Sequence, residues 1–297
     1  MNEKSRRITF SQFGFFLMSN LAYVDGKYCN IQEAKVSIND RGYHFGDSVY
    51  EVILYNNGVF YDYNGHIDRL YNSLEHINIK FYLSKKQLEI IIKNLIKINR
   101  VNFGSIYIQV SRGIAERNHS YFEINSKPIL TMIVSKKKNN ISDDIKGVKA
   151  ITMFDNRWSR PDIKTTQLLP NVLAKTYANE KNAYEGIFID HKGYITEGSS
   201  SNIWIINNNN EILTREIDGK ILSGITRKTV AQFAKKNNFR LLEKKFTKDE
   251  LFNAKEVFLT SASSFVTPII EIDNIKINKG NIGKNSIELR NLYFQNF

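Results

Sequence analysis

Apolar positions in this chain follow two rhythms, and each stretch announces its element by which one it keeps. Residues 21–28 and 49–55, rich in aromatic and aliphatic side chains, read as strands, and Asn56, Asn57 and Gly58 supply a turn that accepts positive φ. Over 65–77 the spacing lengthens. Ile67, Leu70, Leu74 and Ile77 fall three or four residues apart, the stripe of one buried helix face. Ser84 opens a second helix carrying Leu88, Ile91, Ile92, Leu95 and Ile96. Strand alternation appears at 105–110 and 128–134, and residues 134–144 then become polar and charged, which marks a boundary.

Beyond that boundary 147–154 reads as a strand and 168–184 as a helix with Pro170 in its first turn, where a missing N–H costs nothing. Residues 186–191 and 202–206 read as a pair of strands, 224–237 as a helix, and Thr247 with Glu250 as a capping box. Two strands, 256–261 and 268–272, close the pattern. There is no internal repeat. Hairpin turns and the lack of a regular strand–helix–strand alternation predict an α+β fold in two domains. The expected division is an N-terminal extension at 1–20, a smaller N-terminal α/β domain at 21–138, a linker at 139–145 and a larger C-terminal mixed-sheet domain at 146–297.

Composition narrows the function. Of 297 residues 42% are hydrophobic, which suits an ordinary globular chain. No apolar run approaches the ~20 residues of a membrane span. The formal net charge of +12 invites a nucleic-acid partner, but the lysines are scattered or lie on polar helix faces, as at Lys85 and Lys86. The densest run, Lys136, Lys137 and Lys138, continues into Asn139 and Asn140 as a solvated linker. The expected partners are therefore small anions drawn in by a positive field, with neither nucleic acid nor membrane involved. Cys29 is the single cysteine, so no internal disulfide forms; this fits a reducing compartment, the cytoplasm, and a structural thiol. Residues 1–19 carry Arg6, Arg7 and a short apolar patch at 13–17, without the longer apolar core and cleavage site of a signal peptide. Either 1–17 is an extension or the natural start is Met18.

Three features carry candidate chemistry. Lys164 follows Trp158 and Pro161 and precedes a helix, which sets its amine at a constrained, partly buried strand end. A desolvated lysine amine can attack an aldehyde and relay protons, although any single lysine of so many is more often a surface charge. Glu197, in the stretch TEGSSSN at 196–202, is either a turn carboxylate or the partner of a protonated ring nitrogen. Gly224, Ile225 and Thr226 open a helix whose free N–H groups and dipole suit an anion. Arg69 adds a fork of donors, unless it pairs with Asp68 or Glu75, and Thr260 and Ser261 add hydroxyls at a strand end.

Taken together these stretches resemble the class IV, fold-type IV pyridoxal-phosphate aminotransferases, and within them the D-amino-acid transaminases of bacteria. The resemblance is carried by DRGYHFGDSVYE at 40–51, HIDRL at 66–70, SRG at 111–113, DIK at 162–164, NVLAKT at 171–176, TEGSSSN, GITR at 224–227 and LTSA at 259–262, in family order. It covers the chain from about residue 21 onward. It implies pyridoxal 5'-phosphate as cofactor, with Lys164 as the Schiff-base lysine and Glu197 on the ring nitrogen. By the same resemblance Arg69, Gly224, Ile225, Thr226 and Thr260 or Ser261 would hold the phosphate, Leu222 would pack on the ring face opposite the lysine, and Ser200 and Ser201 would shape the floor.

The D-amino-acid subgroup is implied by Tyr50 and by the triplet Arg117-x-His119, which in that group bind the substrate carboxylate. A guanidinium grips a carboxylate with two parallel bonds, and its side of the site selects the enantiomer. In the family this triplet reaches across from a second subunit, which implies a homodimer. Asn118 stands where a smaller residue is common, and Glu116 precedes Arg117. The implied reaction is transamination between D-amino acids (D-alanine, D-glutamate, D-aspartate) and 2-oxo acids such as pyruvate and 2-oxoglutarate. Rival activities on the same fold are a branched-chain L-aminotransferase, which lacks the triplet, and aminodeoxychorismate lyase. A basic binding protein without catalysis is the remaining alternative.

Overall fold

The stretch expected as a strand at 21–28 folds back on itself. β1 (Leu21–Val24) and β2 (Lys27–Asn30) pair antiparallel across Asp25 and Gly26, both at positive φ, so one expected strand is a hairpin. The computed structural model describes residues 20–122, 125–138 and 145–297. The expected extension at 1–20, save residue 20, and the expected linker at 139–145, save residue 145, lie outside the described residues.

A five-residue helix, α1 (Arg41–Phe45), comes next, too short to show periodicity in the sequence. β3 (Ser48–Asn56) turns into β4 (Val59–Phe60) through Asn57 and Gly58, at φ 45° and 100° as the turn requires. α2 (Tyr63–His76) and α3 (Lys85–Ile98) follow, the latter opened by the Ser84–Gln87 capping box. β5 (Phe103–Ser111) and β6 (Ile129–Lys136) complete an antiparallel sheet in the order β2-β1-β6-β5-β3-β4. Ile53, Leu70, Leu88, Ile92, Ile106 and Met132 meet in its core, each fully buried aliphatic side chain stabilising the fold by about 1.5–3 kcal/mol.

The second sheet begins with β7 (Val148–Phe154), α4 (Leu169–Glu180), β8 (Glu185–Ile189), β9 (Ile195–Gly198) and β10 (Asn202–Ile206). It continues through β11 (Ile212–Thr214), α5 (Ile225–Lys236), β12 (Leu241–Glu243) and α6 (Lys248–Phe252), the last opened by the Thr247–Glu250 capping box. β13 (Glu256–Ser261), β14 (Phe265–Ile272), β15 (Ile275–Lys276) and α7 (Lys284–Phe294) finish the chain. The sheet runs β12-β11-β10-β13-β14-β7-β8-β9, with β15 on β14.

Two sequence expectations change here. The stretches 186–191 and 202–206 are not partners: β8 lies between parallel β7 and antiparallel β9, whereas β10 lies between β11 and β13. β9 intervenes because the polar TEG of 196–198 is strand, fully buried, where its composition reads as loop. The sheet also holds two parallel crossovers, β7–α4–β8 and β11–α5–β12, short enough to hide among the hairpins.

The halves meet along β3. The segment after β7 passes beside it, with Tyr50 N donating to Lys164 O at 3.1 Å and Thr166 N to Ser48 O at 3.1 Å. Asp62, ahead of α2, accepts hydrogen bonds from Thr229 on α5 and Tyr293 on α7, each at 2.7 Å.

Candidate active site

Lys164 lies in extended chain between β7 and α4, half-buried, and its ladder contacts with β3 fix its backbone. Its Nζ sits 4.3 Å from the centre of the Tyr50 ring. Both face a cavity of about 380 Å³ between the two sheets. The far wall is β9 with Glu197, Ser200 and Ser201 beyond it. Leu222, Gly224, Ile225 and Thr226 form one end, and Arg69, Thr260 and Ser261 line the same space. Residues drawn from distant parts of the sequence thus share one cavity.

Glu197 is buried and accepts from Arg157, from Leu222 N at 3.1 and 3.0 Å, and from Asn202 Nδ2 at 3.0 Å. Burial pushes its carboxyl above the usual glutamate range, against the pull of Arg157. Arg157 is itself held by Asp155, at 2.9 and 2.8 Å, and lies over the Phe188 ring. Burial would raise the Asp155 carboxyl, but Arg157 and Thr196 outweigh it and hold it low. Behind Ser199, Ser200 and Ser201 stands a fully buried Glu185, which accepts all three hydroxyls and so fixes the loop's shape.

At the other end Arg69 pairs with Glu51 through Nε at 2.6 Å and Nη2 at 2.9 Å, and its Nη1 donates to Ser223 O at 2.9 Å. Neither Asp68 nor Glu75 is its partner; Asp68 pairs with Lys85. His66 Nδ1 lies 2.8 Å from Glu51 Oε2. Burial alone would raise the Glu51 carboxyl, but Arg69 and His66 prevail and hold it well below the usual range. A carboxyl lowered in the folded state stabilises the fold fully above about pH 4.3, the unfolded glutamate value, and loses that contribution as pH falls below it. Glu51→Gln should therefore lose about 3 kcal/mol of stability at pH 7 and show a flatter loss between pH ~4 and ~2. Urea melts across that range measure both; parallel pH slopes for the two proteins would contradict the assignment.

The α5 N-terminus has no side-chain cap, and the Thr226 hydroxyl behind it is buried against Tyr293. Gly224 is required there, since a Cβ would meet Asn202 Oδ1 at 1.9 Å. Free N–H groups and the Arg69 guanidinium suit a phosphate. An amine, a buried carboxylate network and this anion end together fit the aldehyde, ring nitrogen and phosphate of pyridoxal phosphate.

Arg117 and His119 do not join the cavity within one chain. Both are exposed on the loop after β5, packed against Phe45. Sequence reasoning missed Arg157, Glu51 and Glu185. The only signal for them was a charge in an otherwise apolar strand or directly after one. Among the described residues there is no metal-binding group of three or more His, Cys, Asp or Glu, and no helix long and apolar enough to cross a membrane.

Comparison with known proteins agrees with this geometry. The profile of the family described as "Amino-transferase class IV" matches residues 48–272, and the chain belongs to that family. D-alanine aminotransferase of Staphylococcus aureus (strain N315) is 40% identical over 262 residues, 88% of this chain and 92% of that protein. D-alanine aminotransferase of Listeria innocua serovar 6a is 39% identical, over 92% of this chain and 94% of its own. Among solved structures, a T.th. branched-chain amino acid aminotransferase with pyridoxamine 5'-phosphate superposes with a TM-score of 0.85 at 25% identity, covering 93% of each chain. The Escherichia coli branched-chain enzyme, at 20% identity and TM-score 0.82 over 93% of each chain, shares the fold.

Proposed function

We propose that this chain is a D-amino-acid transaminase. It exchanges the amino group between D-alanine, D-glutamate or D-aspartate and 2-oxo acids such as pyruvate and 2-oxoglutarate, as a cytoplasmic homodimer of two-domain subunits. The observation that carries the reading is the triplet Arg117-x-His119 in a chain 40% identical to a D-alanine aminotransferase. The branched-chain likeness stands at 25% identity.

Pyridoxal phosphate, when bound, supplies an aldehyde that takes up the amino group and a ring that draws in the electron pair left by the departing α-proton. The chain's own residues do the rest. Lys164 Nζ, free to move within the cavity beside Tyr50, takes and returns the proton. Glu197 holds negative charge where the ring nitrogen would lie, and Arg157 and Asn202 hold Glu197 in place. Arg69, the α5 N-terminus with the backbone of Ile225 and Thr226, and Thr260 or Ser261 would hold the phosphate. Leu222 would close the face opposite Lys164 and so confine proton movement to the lysine's side.

Tyr50 stands inside the cavity, whereas Arg117 and His119 stand on the surface of their own subunit. That separation supports a clamp completed by a second copy. An exposed apolar stripe on α4, made by Leu169, Val172, Leu173 and Tyr177 beside the cavity mouth, supports the same assembly. Spectra of the purified holoenzyme test the reading. D-Alanine should bleach the visible cofactor band while L-alanine leaves it unchanged. A response to branched L-amino acids alone, or pyruvate released from an aminodeoxychorismate without any acceptor, would replace it.

A further inference from the structure

The stretch 40–48 is prominent in the sequence, yet only its flank reaches the cavity. Its residues build a cage around the loop that carries Arg117 and His119. Asp40 starts α1, accepting Gly42 N at 2.7 Å, and accepts the Ser111 hydroxyl at 2.8 Å. Gly42 is needed at that contact, because a Cβ would sit 2.9 Å from both Asp40 Oδ1 and Ser111 Cβ. Gly46 ends α1 at φ 64°, which turns Asp47 back beneath the helix.

Asp47 then joins two buried arginines. It accepts Arg41 Nε at 2.8 Å and Arg112 Nε and Nη2 at 2.7 and 2.9 Å. With its Nε committed, Arg41 aims its remaining donors at the loop: Nη1 to Asn118 O at 2.5 Å and Nη2 to His119 O at 3.2 Å. Phe45 lies between the functional groups, its ring centre 5.4 Å from that of His119 and 5.3 Å from Arg117 Cζ. The Asn118 side chain turns into its own loop, accepting Ser120 N at 3.1 Å, so its size does not obstruct the grip.

An exposed loop with two long polar side chains loses much conformational freedom when it closes on a small carboxylate, and prior ordering removes that cost. We propose that Arg41 and Phe45 are positioning residues for the carboxylate grip: Arg41 fixes the backbone of Asn118 and His119, and Phe45 fixes the two side chains. This rests on the grip assigned above to Arg117 and His119.

The test is a mutant cycle on the holoenzyme, reading KM for D-alanine and 2-oxoglutarate, kcat, and cofactor retention on gel filtration. Arg41→Met should raise both KM values roughly tenfold, with kcat and retention little changed. Arg41→Lys should recover part of the loss, since one ammonium can still reach a carbonyl. Phe45→Ala, at a half-buried position that tolerates truncation, should raise KM about threefold and carries the test if Arg41→Met fails to fold. In a background with Arg117→Ala and His119→Ala together neither change should raise KM further, because the grip they order is gone. Fully additive effects in that background, or loss of cofactor from the Arg41 variant, would overturn the positioning role while leaving the grip itself standing. An unchanged KM in Arg117→Ala alone would remove the grip and the proposal together.

Discussion

Lys164→Ala should abolish transamination, lowering turnover by at least ~10⁴-fold, and should remove the yellow colour that a lysine-bound pyridoxal gives. The expectation follows from where the amine stands. Lys164 is the lysine whose Nζ lies over Tyr50, inside the cavity and beyond a backbone stitched to β3. Lys175 also lines that cavity, but its Nζ is tied to Tyr184 O and lies 3.7 Å from Glu185, so it has no free path to the same point. A substituted alanine keeps the extended backbone and its bonds, so the fold should survive, and the loss can be read as chemistry. Steady-state assay of D-alanine with 2-oxoglutarate and an absorbance spectrum decide it. Retained turnover would mean that another group moves the proton.

Glu197→Gln should come next in size, cutting kcat by roughly 100-fold or more at saturating cofactor. The amide keeps the shape and can still accept from Leu222 N, but it carries no charge to favour a protonated ring nitrogen. Arg157 then keeps Asp155 as its partner, which limits the damage to the fold. The variant should melt within a few degrees of the parent and still bind cofactor, with the defect confined to turnover. A kcat within twofold of the parent would remove Glu197 from the electronic role.

Much of this site is legible in the residues alone. Lys164, Glu197, Arg69 and the opening of α5 each carry a residue type that their chemistry demands, in segments whose periodicity fixes the flanking element. The residues that escaped support them from elsewhere. Glu51 sits on a strand that otherwise reads as apolar, and only the approach of α2 shows that it serves Arg69 and His66. Glu185 looks like a lone charge opening an otherwise apolar strand until three serine hydroxyls from the next loop converge on it. The pairing of β8 was misread for a related reason. Alternation tells which residues face the core, but not which strand lies alongside, and β9 hides its identity in small polar residues. Arg117 and His119 mark the limit of one chain: their chemistry is readable, but within the chain they reach no cavity, and the clamp proposed for them needs a second copy.

The segment bearing Lys164 belongs by sequence to the second sheet and by hydrogen bonding to the first. A ligand filling the space between touches Arg69 on one side and the α5 terminus on the other. Occupancy and the docking of the two halves are therefore linked by mass action, and a chain that loses its vitamin also loosens its waist.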